Sequence, residues 1–558
     1  MCKIKRISAV LIAVVMVALL LCTAGCKKSS VQGDASGKDD TGAESTEKPE
    51  DVTVKAGGVI NLSVGPYDSF NPLKTSNEDI RVYTGLIYED LVNINAVMEP
   101  VPNIIESWVS SEDFKIWEFT LRDDVLFHDG TEVNAESVKA LIDYILSNGG
   151  NYSENVDNVS GCFVKDDFTV QFVLEEPDSM MPSKMSIPLL SKETLKGDNG
   201  ENKPVGTGMY KFSSKKDNVI TLEKNDEFFD EARAPYIDTV KMTIYKSEYE
   251  KYGSDFDLAF FYGNRLSSYI FDESTKTYDF CGKTCNYVAV NCKPSYTLET
   301  PDEDDKNNII YTDIHNAFED SKVRKAVSIL IDRNEVCDIA AAGKGTAVLY
   351  PAYSGTSYWQ GKYSVGASDQ QAAYKLLQEA GYSRSENDGL WYYKDGTALV
   401  VEAISPDDDF ELRSVMRGVK INLERLGITV NLQELSTEEF SYKVQKKQYM
   451  LMPVQLELGS WIDVEKIYAT EGEYNYSFYS NSVIDGYFTQ LKSLGEKAVL
   501  SAGYNSIEDI LIEDCPVIGL YIGYDTVVIR DNVSGVKRES FYGWDPLAAF
   551  YSWGVTAE

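Results

Sequence analysis

The sequence predicts an α/β protein with several lobes, and three observations carry that reading. Strand-like and helix-like apolar patterns alternate from Gly57 onwards with no low-complexity break. Helical runs are closed by glycine and followed at once by strand-like runs, the order expected where helices cover a sheet. No period of about 20–50 residues repeats, which sets solenoids and propellers aside. The length agrees: 558 residues make three or four folding units at roughly 150 residues each.

The elements follow in chain order. Val59–Val64 (VINLSV) alternates apolar and polar residues as a strand does and ends at Gly65-Pro66. Glu118–Arg122 and Val125–Phe127 form a second strand-like region, interrupted downstream by the turn dipeptide Asp129-Gly130. Asn134 is placed to cap a helix with Glu136 in its first turn. Val138, Leu141, Ile142 and Ile145 give that helix one apolar face. Ser368–Ala380 is a second helix, with Ser368 as its N-cap, Ala372, Ala373, Leu376, Leu377 and Ala380 as its stripe, and Gly381 as its stop. Phe410–Leu426 is a third, closed by Gly427 and followed by the strand-like Ile428–Leu432.

Composition narrows the function. There are 53 Lys and Arg against 88 Asp and Glu, a net charge of −35, so phosphate is repelled and no nucleic-acid partner is expected. With 36 Tyr, 22 Phe and 7 Trp the chain is not a solvated coil. Only His128 and His315 occur, which leaves little for imidazole catalysis or a multi-histidine metal site, and no cofactor is expected. His128, beside the turn, reads as structural. Gly-x-Ser-x-Gly and His-Glu-x-x-His are both missing from the sequence.

The N-terminus predicts the compartment. Lys3, Lys5 and Arg6 precede an apolar run from Ile7 to Leu21, and Thr23-Ala24-Gly25-Cys26 follows. A basic start, an apolar core and small residues before a boundary make an export signal over residues 1–25. Cysteine directly after Ala-Gly resembles the lipobox of bacterial lipoproteins, in which that thiol is acylated; Thr23 departs from the usual aliphatic residue. The alternative is a retained membrane anchor. Residues 27–56 lack aromatics and are built from small and charged residues, a flexible tether. A doubly acylated Cys26 would hold the body to the extracytoplasmic face of the membrane. Of the nine cysteines, Cys162, Cys281, Cys285, Cys292, Cys337 and Cys515 remain in the body, either as thiols or partly bridged.

The segment Pro102–Val138, PNIIESWVSSEDFKIWEFTLRDDVLFHDGTEVNAESV, is similar to a pattern of the extracellular solute-binding proteins of family 5. That family comprises the oligopeptide-, dipeptide- and nickel-binding components of ABC importers. Further resemblance comes at Phe70–Leu73, at Val205–Tyr210, where Met209 stands for the usual Pro, and at Asn225 with Phe228 and Phe229. Val323–Ala326 with Ile331–Arg333, Leu376–Tyr382 and Leu426–Ile428 extend it in order from residue 58 to about 550.

The resemblance implies a two-lobed type II periplasmic-binding-protein fold with mixed sheets, an inserted subdomain in lobe I and a two-segment hinge. Lobe I would comprise 58–285 and 516–558 with the insertion at about 79–204, and lobe II 292–515. Crossings would fall at Tyr287–Asn291 and Val517–Tyr524. It implies capture of a small solute, foremost a short peptide, by hinge closure, and delivery to ABC permease and ATPase subunits. No chemical change of the ligand is expected.

Candidate ligand-binding residues follow from the same resemblance. Gly459, Trp461 and Asp463 end a strand-like apolar run, and Asp463 would face a peptide's α-ammonium as a charge-assisted pair. Here one residue separates Trp461 from Asp463, where two are common. Tyr67 and Phe70 follow the first strand, while Tyr262 and Asn264 follow Phe256–Phe261. For each the alternative is ordinary packing or a solvated loop. Rival functions are an oligosaccharide or signalling-peptide binder of the same fold, a surface adhesin and a secreted hydrolase.

Overall fold

The alternating residues of Val59–Val64 make a largely buried strand inside a long mixed sheet, parallel to Thr239–Ile244 on one side and to Leu258–Phe261 on the other. The computed structural model describes residues 54–197, 203–263, 274–301, 309–461 and 463–556. Val219–Lys224 and Tyr210–Lys216 extend this end of the sheet antiparallel. The other end holds a second parallel trio, Val400–Pro406 between Thr429–Leu435 and Leu451–Glu457. Two long antiparallel strands join the trios. Thr275–Val290 pairs with Leu451–Glu457 and with Val517–Arg530, and the latter pairs with Leu258–Phe261.

Apolar side chains collect on either side of that crossing. One core contains Ile60, Leu62, Val240, Phe260, Phe550 and Trp553. Beyond the crossing, one core contains Val327, Val415, Leu423 and Leu451, and an adjoining one contains Tyr287, Tyr468, Ile507 and Leu511. The long strands feed both sides: Phe280, Val527 and Ile529 the first, Val288, Ile518 and Leu520 the second. The body therefore has two lobes on a shared two-strand waist. The ladder slips register between Cys281 and Cys285, and again between Asn286 and Tyr287, so Lys283 sits in a bulge at the waist. Bulges re-aim side chains and recur beside binding sites.

The first lobe carries a separate antiparallel sheet, in the order Ile105–Ser110, Ile116–Leu121, Thr169–Leu174, Val159–Asp166. Burial alternates along its second strand, with Trp117, Phe119 and Leu121 inside. Helix Ala135–Asn148 packs against it, its first turn fixed by the Asn134 side chain accepting from the Ser137 N–H at 3.1 Å. Among the described residues, no helix is long and apolar enough to cross a membrane.

Some local expectations shift. Val125–Phe127 is not a strand, because Asp129-Gly130 turns so tightly that only an isolated Leu126–Glu132 bridge forms. The helix expected over Ser368–Ala380 runs Gln370–Glu379, and Asp369 is its cap. The Asp369 carboxylate accepts from the Ala372 N–H at 3.0 Å, while the Ser368 hydroxyl donates to the Leu330 carbonyl at 3.0 Å. Of its stripe, Ala373 and Leu377 are fully buried. Helix Phe410–Arg425 ends as expected at Gly427, whose φ of +87° belongs to the left-handed region. The six body cysteines are free thiols.

Candidate functional site

The lobes meet along a seam, and polar side chains face each other across it. Arg81 of the first lobe pairs with Glu457, at the end of the Leu451–Glu457 strand, at 3.2 Å. Glu154, from the short turn after helix Ala135–Asn148, takes Lys466 at 2.9 Å and the Tyr474 hydroxyl at 2.9 Å. The Ser186 and Ser460 hydroxyls lie 2.7 Å apart. Ser179 donates through its N–H to the Lys492 carbonyl at 2.9 Å and through its hydroxyl to the Leu491 carbonyl at 3.1 Å. Helix Glu78–Tyr83, the short turn Ser153–Asn155 and the stretch from Ser179 to Ser186 thus face the end of the Leu451–Glu457 strand and the residues that follow it.

Gly459, Ser460, Trp461 and Asp463 lie in this seam. The Trp461 indole lies back against Gly459, where a Cβ would make only an ordinary contact of 3.5 Å with the ring. The Trp461 Nε1 is buried without an acceptor among the described residues, and the Lys184 ammonium stands 6.0 Å from the ring centre. Asp463 is half-buried, with Lys466 at 3.4 Å. Burial pushes its carboxyl up, against the pull of Lys466 and Lys184.

Tyr67 and Phe70 form a different group. Their ring centres are 5.3 Å apart, Phe70 is buried in the first core, and the Lys215 ammonium lies 4.3 Å over Tyr67. Tyr262 follows the Leu258–Phe261 strand, and its buried hydroxyl lacks a partner among the described residues. The Lys251 ammonium, itself paired with Asp79, is 5.8 Å from the Tyr262 ring centre. Asp79 also accepts from the Gly65 N–H at 2.7 Å, which ties the end of the first strand to Tyr262 through Lys251. Asn264 and Cys26 lie outside the described residues.

Residues that sequence reasoning missed supply much of the chemistry beside the waist. Asp545 is exposed, and Asp90 and Lys283 are half-buried, yet all three are strongly desolvated. Their charges act on one another, so the three lie close together beside the waist. Burial, then the charges of Asp545 and Glu89, push the Asp90 carboxyl up to about 8. Burial raises Asp545 to about 6 and lowers the Lys283 ammonium despite nearby Glu457. Gly543 abuts the waist: a Cβ there would come 2.7 Å from the Cys281 carbonyl, which sets Trp544 and Asp545 beside Lys283. No sequence signal joins positions 90, 283 and 545, because only the bulge and the returning C-terminal loop bring them together.

Glu154, Gln455, Glu457, Tyr474 and Tyr476 line a half-open cavity of about 290 Å³, with Tyr287 also in its wall. Such a cavity can bind and orient a small group by apolar contact and a few hydrogen bonds. His128 stands apart. Its Nδ1 accepts from the Gly206 N–H at 3.2 Å, and its Nε2 therefore donates to the Gly208 carbonyl at 3.0 Å. Both ring nitrogens are occupied. Among the described residues, no three His, Cys, Asp or Glu side chains converge to hold a metal.

A two-lobed fold of this kind has counterparts in known proteins. Residues 99–470 match the family described as bacterial extracellular solute-binding proteins, family 5 Middle. The chain belongs to that family. The oligopeptide-binding protein AppA of Bacillus subtilis is 22% identical over 562 residues, covering 96% of either chain. The dipeptide-binding protein DppE of Bacillus subtilis is 21% identical over 497 residues, covering 81% of this chain and 84% of its own. The unliganded open form of the periplasmic murein tripeptide-binding protein MppA shares the fold. Its TM-score is 0.72 at 18% identity, covering 90% of this chain and 98% of that one. The family 5 assignment accounts for the mixed sheet and the two lobes together.

Proposed function

We propose that this family 5 protein captures a short peptide in the seam between its lobes and delivers it to an ABC permease with its ATPase subunits. In this reading it stands on the extracytoplasmic face of the membrane, held by lipid on Cys26. The observation that carries the proposal is the seam itself. Two lobes joined, among the described residues, by two long strands present matched polar groups and a cavity to each other, which is what hinge closure over a ligand requires. The peptides named for AppA, DppE and MppA support the same class of ligand. Lobe I would be residues 58–285 and 516–558, with the insertion at about 79–204, and lobe II 292–515. Capture needs no covalent step, and the protein acts as a carrier.

Asp463 is the proposed partner of the peptide's α-ammonium, with Trp461 and Gly459 shaping that end of the site. The mutual screening of Asp463 and Lys466 means the incoming ammonium competes with a lysine already 3.4 Å away. Tyr67, Phe70, Tyr262 and Asn264 are proposed to shape the lobe I wall.

Native mass spectrometry of the full-length protein in detergent, with and without a pool of di- to hexapeptides, tests the proposal. Bound peptide that is lost with Asp463→Ala supports it. Binding of oligosaccharides alone, or turnover of any pool member, overturns it. A diacylglyceryl mass on the Cys26 peptide, and release of a Cys26→Ser variant from the membrane, test the anchor.

A further inference from the structure

The cavity in the seam has the walls of a side-chain pocket, and its chemistry selects among side chains. Val454 and Leu456 supply apolar surface, Tyr474 and Tyr476 supply rings, and Glu154 lines it from the first lobe. We infer that this cavity receives one aromatic side chain of the captured peptide, and that a phenol suits it best. The inference rests on the peptide-binding reading above.

Size comes first. A cavity of about 150 Å³ holds benzene, so about 290 Å³ admits a phenol or an indole. Charge comes second. Both acids at the rim are already matched: Glu154 takes Lys466 and the Tyr474 hydroxyl, each at 2.9 Å, and Glu457 takes Arg81 at 3.2 Å. A lysine or glutamate entering here would have to displace one of those partners, whereas a neutral ring would not. The Lys466 ammonium also sits 5.7 Å from the Tyr474 ring centre, so a cation already occupies that aromatic surface.

The third observation gives the pocket its polar preference. Tyr287 in the wall is only 1% exposed, and its hydroxyl has no hydrogen-bond partner among the described residues. A buried hydroxyl left unmatched is unfavourable, and a ligand group that matches it gains that difference. A phenol hydroxyl both donates and accepts, so it can satisfy Tyr287 whichever way that hydroxyl turns. Phenylalanine fills the same space and leaves the hydroxyl as it was. Tyrosine should therefore be preferred over phenylalanine, and both over leucine, because ring against ring adds to the area buried.

Isothermal titration of the full-length protein in detergent tests this. The ligands are trialanine peptides in which Tyr, Phe, Leu or Lys replaces each position in turn. At one position Tyr should bind about tenfold more tightly than Phe, with Leu and Lys weaker still. Tyr287→Phe should erase the Tyr-over-Phe difference and leave the Phe peptide within about twofold of its original affinity. Tyr476→Leu should erase the preference of Phe over Leu. Equal affinity for the Tyr and Leu peptides at every position overturns the inference while the carrier reading stands. Loss of the Tyr and Phe peptides in equal measure with Tyr287→Phe also overturns it, since that is what a structural tyrosine would do. If no tripeptide in the set binds, the peptide reading falls and the pocket assignment with it.

Discussion

Two groups of buried charge in the first lobe are built in opposite ways. Behind the first strand, Lys251 and Asp79 are essentially dry, and their bonds are filled. The ammonium donates to both Asp79 oxygens at 2.8 Å and to the Phe260 carbonyl at 2.6 Å, while Asp79 also takes the Gly65 N–H. At the seam, Asp90 keeps some contact with water, carries no ion pair among the described residues, and has its carboxyl held up near 8. A charge matched on all sides fixes the scaffold, and one left short of partners at the seam is open to a ligand.

The strongest way to break this comparison is at Lys251. Lys251→Met leaves Asp79 buried with no cation and should lower the unfolding free energy by about 3–5 kcal/mol, read from urea denaturation. A loss below about 1 kcal/mol would mean that the pair is not the fixed point it looks to be. Asp79→Asn should cost less, because the amide keeps an acceptor for the Gly65 N–H, and Lys251 retains the Phe260 carbonyl at 2.6 Å and Glu248 at 3.8 Å.

Asp90 sharpens the other side through pH. Its folded pKa of about 8 lies above its ordinary 3.8, so between those values the folded protein holds a proton that the unfolded chain has released. Stability then falls as pH rises through that window, with a slope of at most about 1.4 kcal/mol per pH unit for one proton. Asp90→Asn should flatten the curve between about pH 4 and 8. His128 predicts the opposite sign over a narrower range. Burial lowers its pKa from 6.5 to about 4, so the unfolded chain binds the extra proton and stability falls as pH drops from 6.5 towards 4. His128→Gln should remove that acid-side fall. Thermal melts across pH 4–8 separate the two residues by sign: Asp90→Asn removes a fall with rising pH over the whole range, and His128→Gln removes a fall with dropping pH below about 6.5.

The sequence made the scaffold side of this contrast legible and left most of the seam hidden. Val59–Val64, the Asn134 cap and the Gly427 stop each depend on neighbours a few residues away, and each forms as expected. Ser368 failed as a cap because a distant carbonyl, that of Leu330, claims its hydroxyl and leaves Asp369 to do the capping. The Gly459–Asp463 segment was visible as a pattern, and the structure sets its described residues in the seam. Its pairing with Lys466, three residues on, was not read from the sequence, since the pattern alone does not say whether the chain turns there to bring that charge back to Asp463. Asp90, Lys283 and Asp545 carried no signal at all. Each is an ordinary charged residue until a bulge and a returning loop place all three close together.

The smallest expected effect lies in the pairs that span the seam. The side chains of Arg81 and Glu457 are 35% and 52% exposed, so their pair should add less than about 1 kcal/mol to stability, unlike the dry pair behind the strand. Arg81→Ala should therefore barely move the urea midpoint. The same pair exists only while the lobes are together, so its loss acts fully on the balance between closed and open forms. A shift of up to about 1 kcal/mol changes that balance by as much as about fivefold. Small-angle scattering of the ligand-free protein should show a larger radius of gyration for Arg81→Ala at low salt, and 1 M KCl should bring the wild type towards the variant by screening the pair. An unchanged radius with an unchanged midpoint would place Arg81 and Glu457 among surface charges with no part in closure.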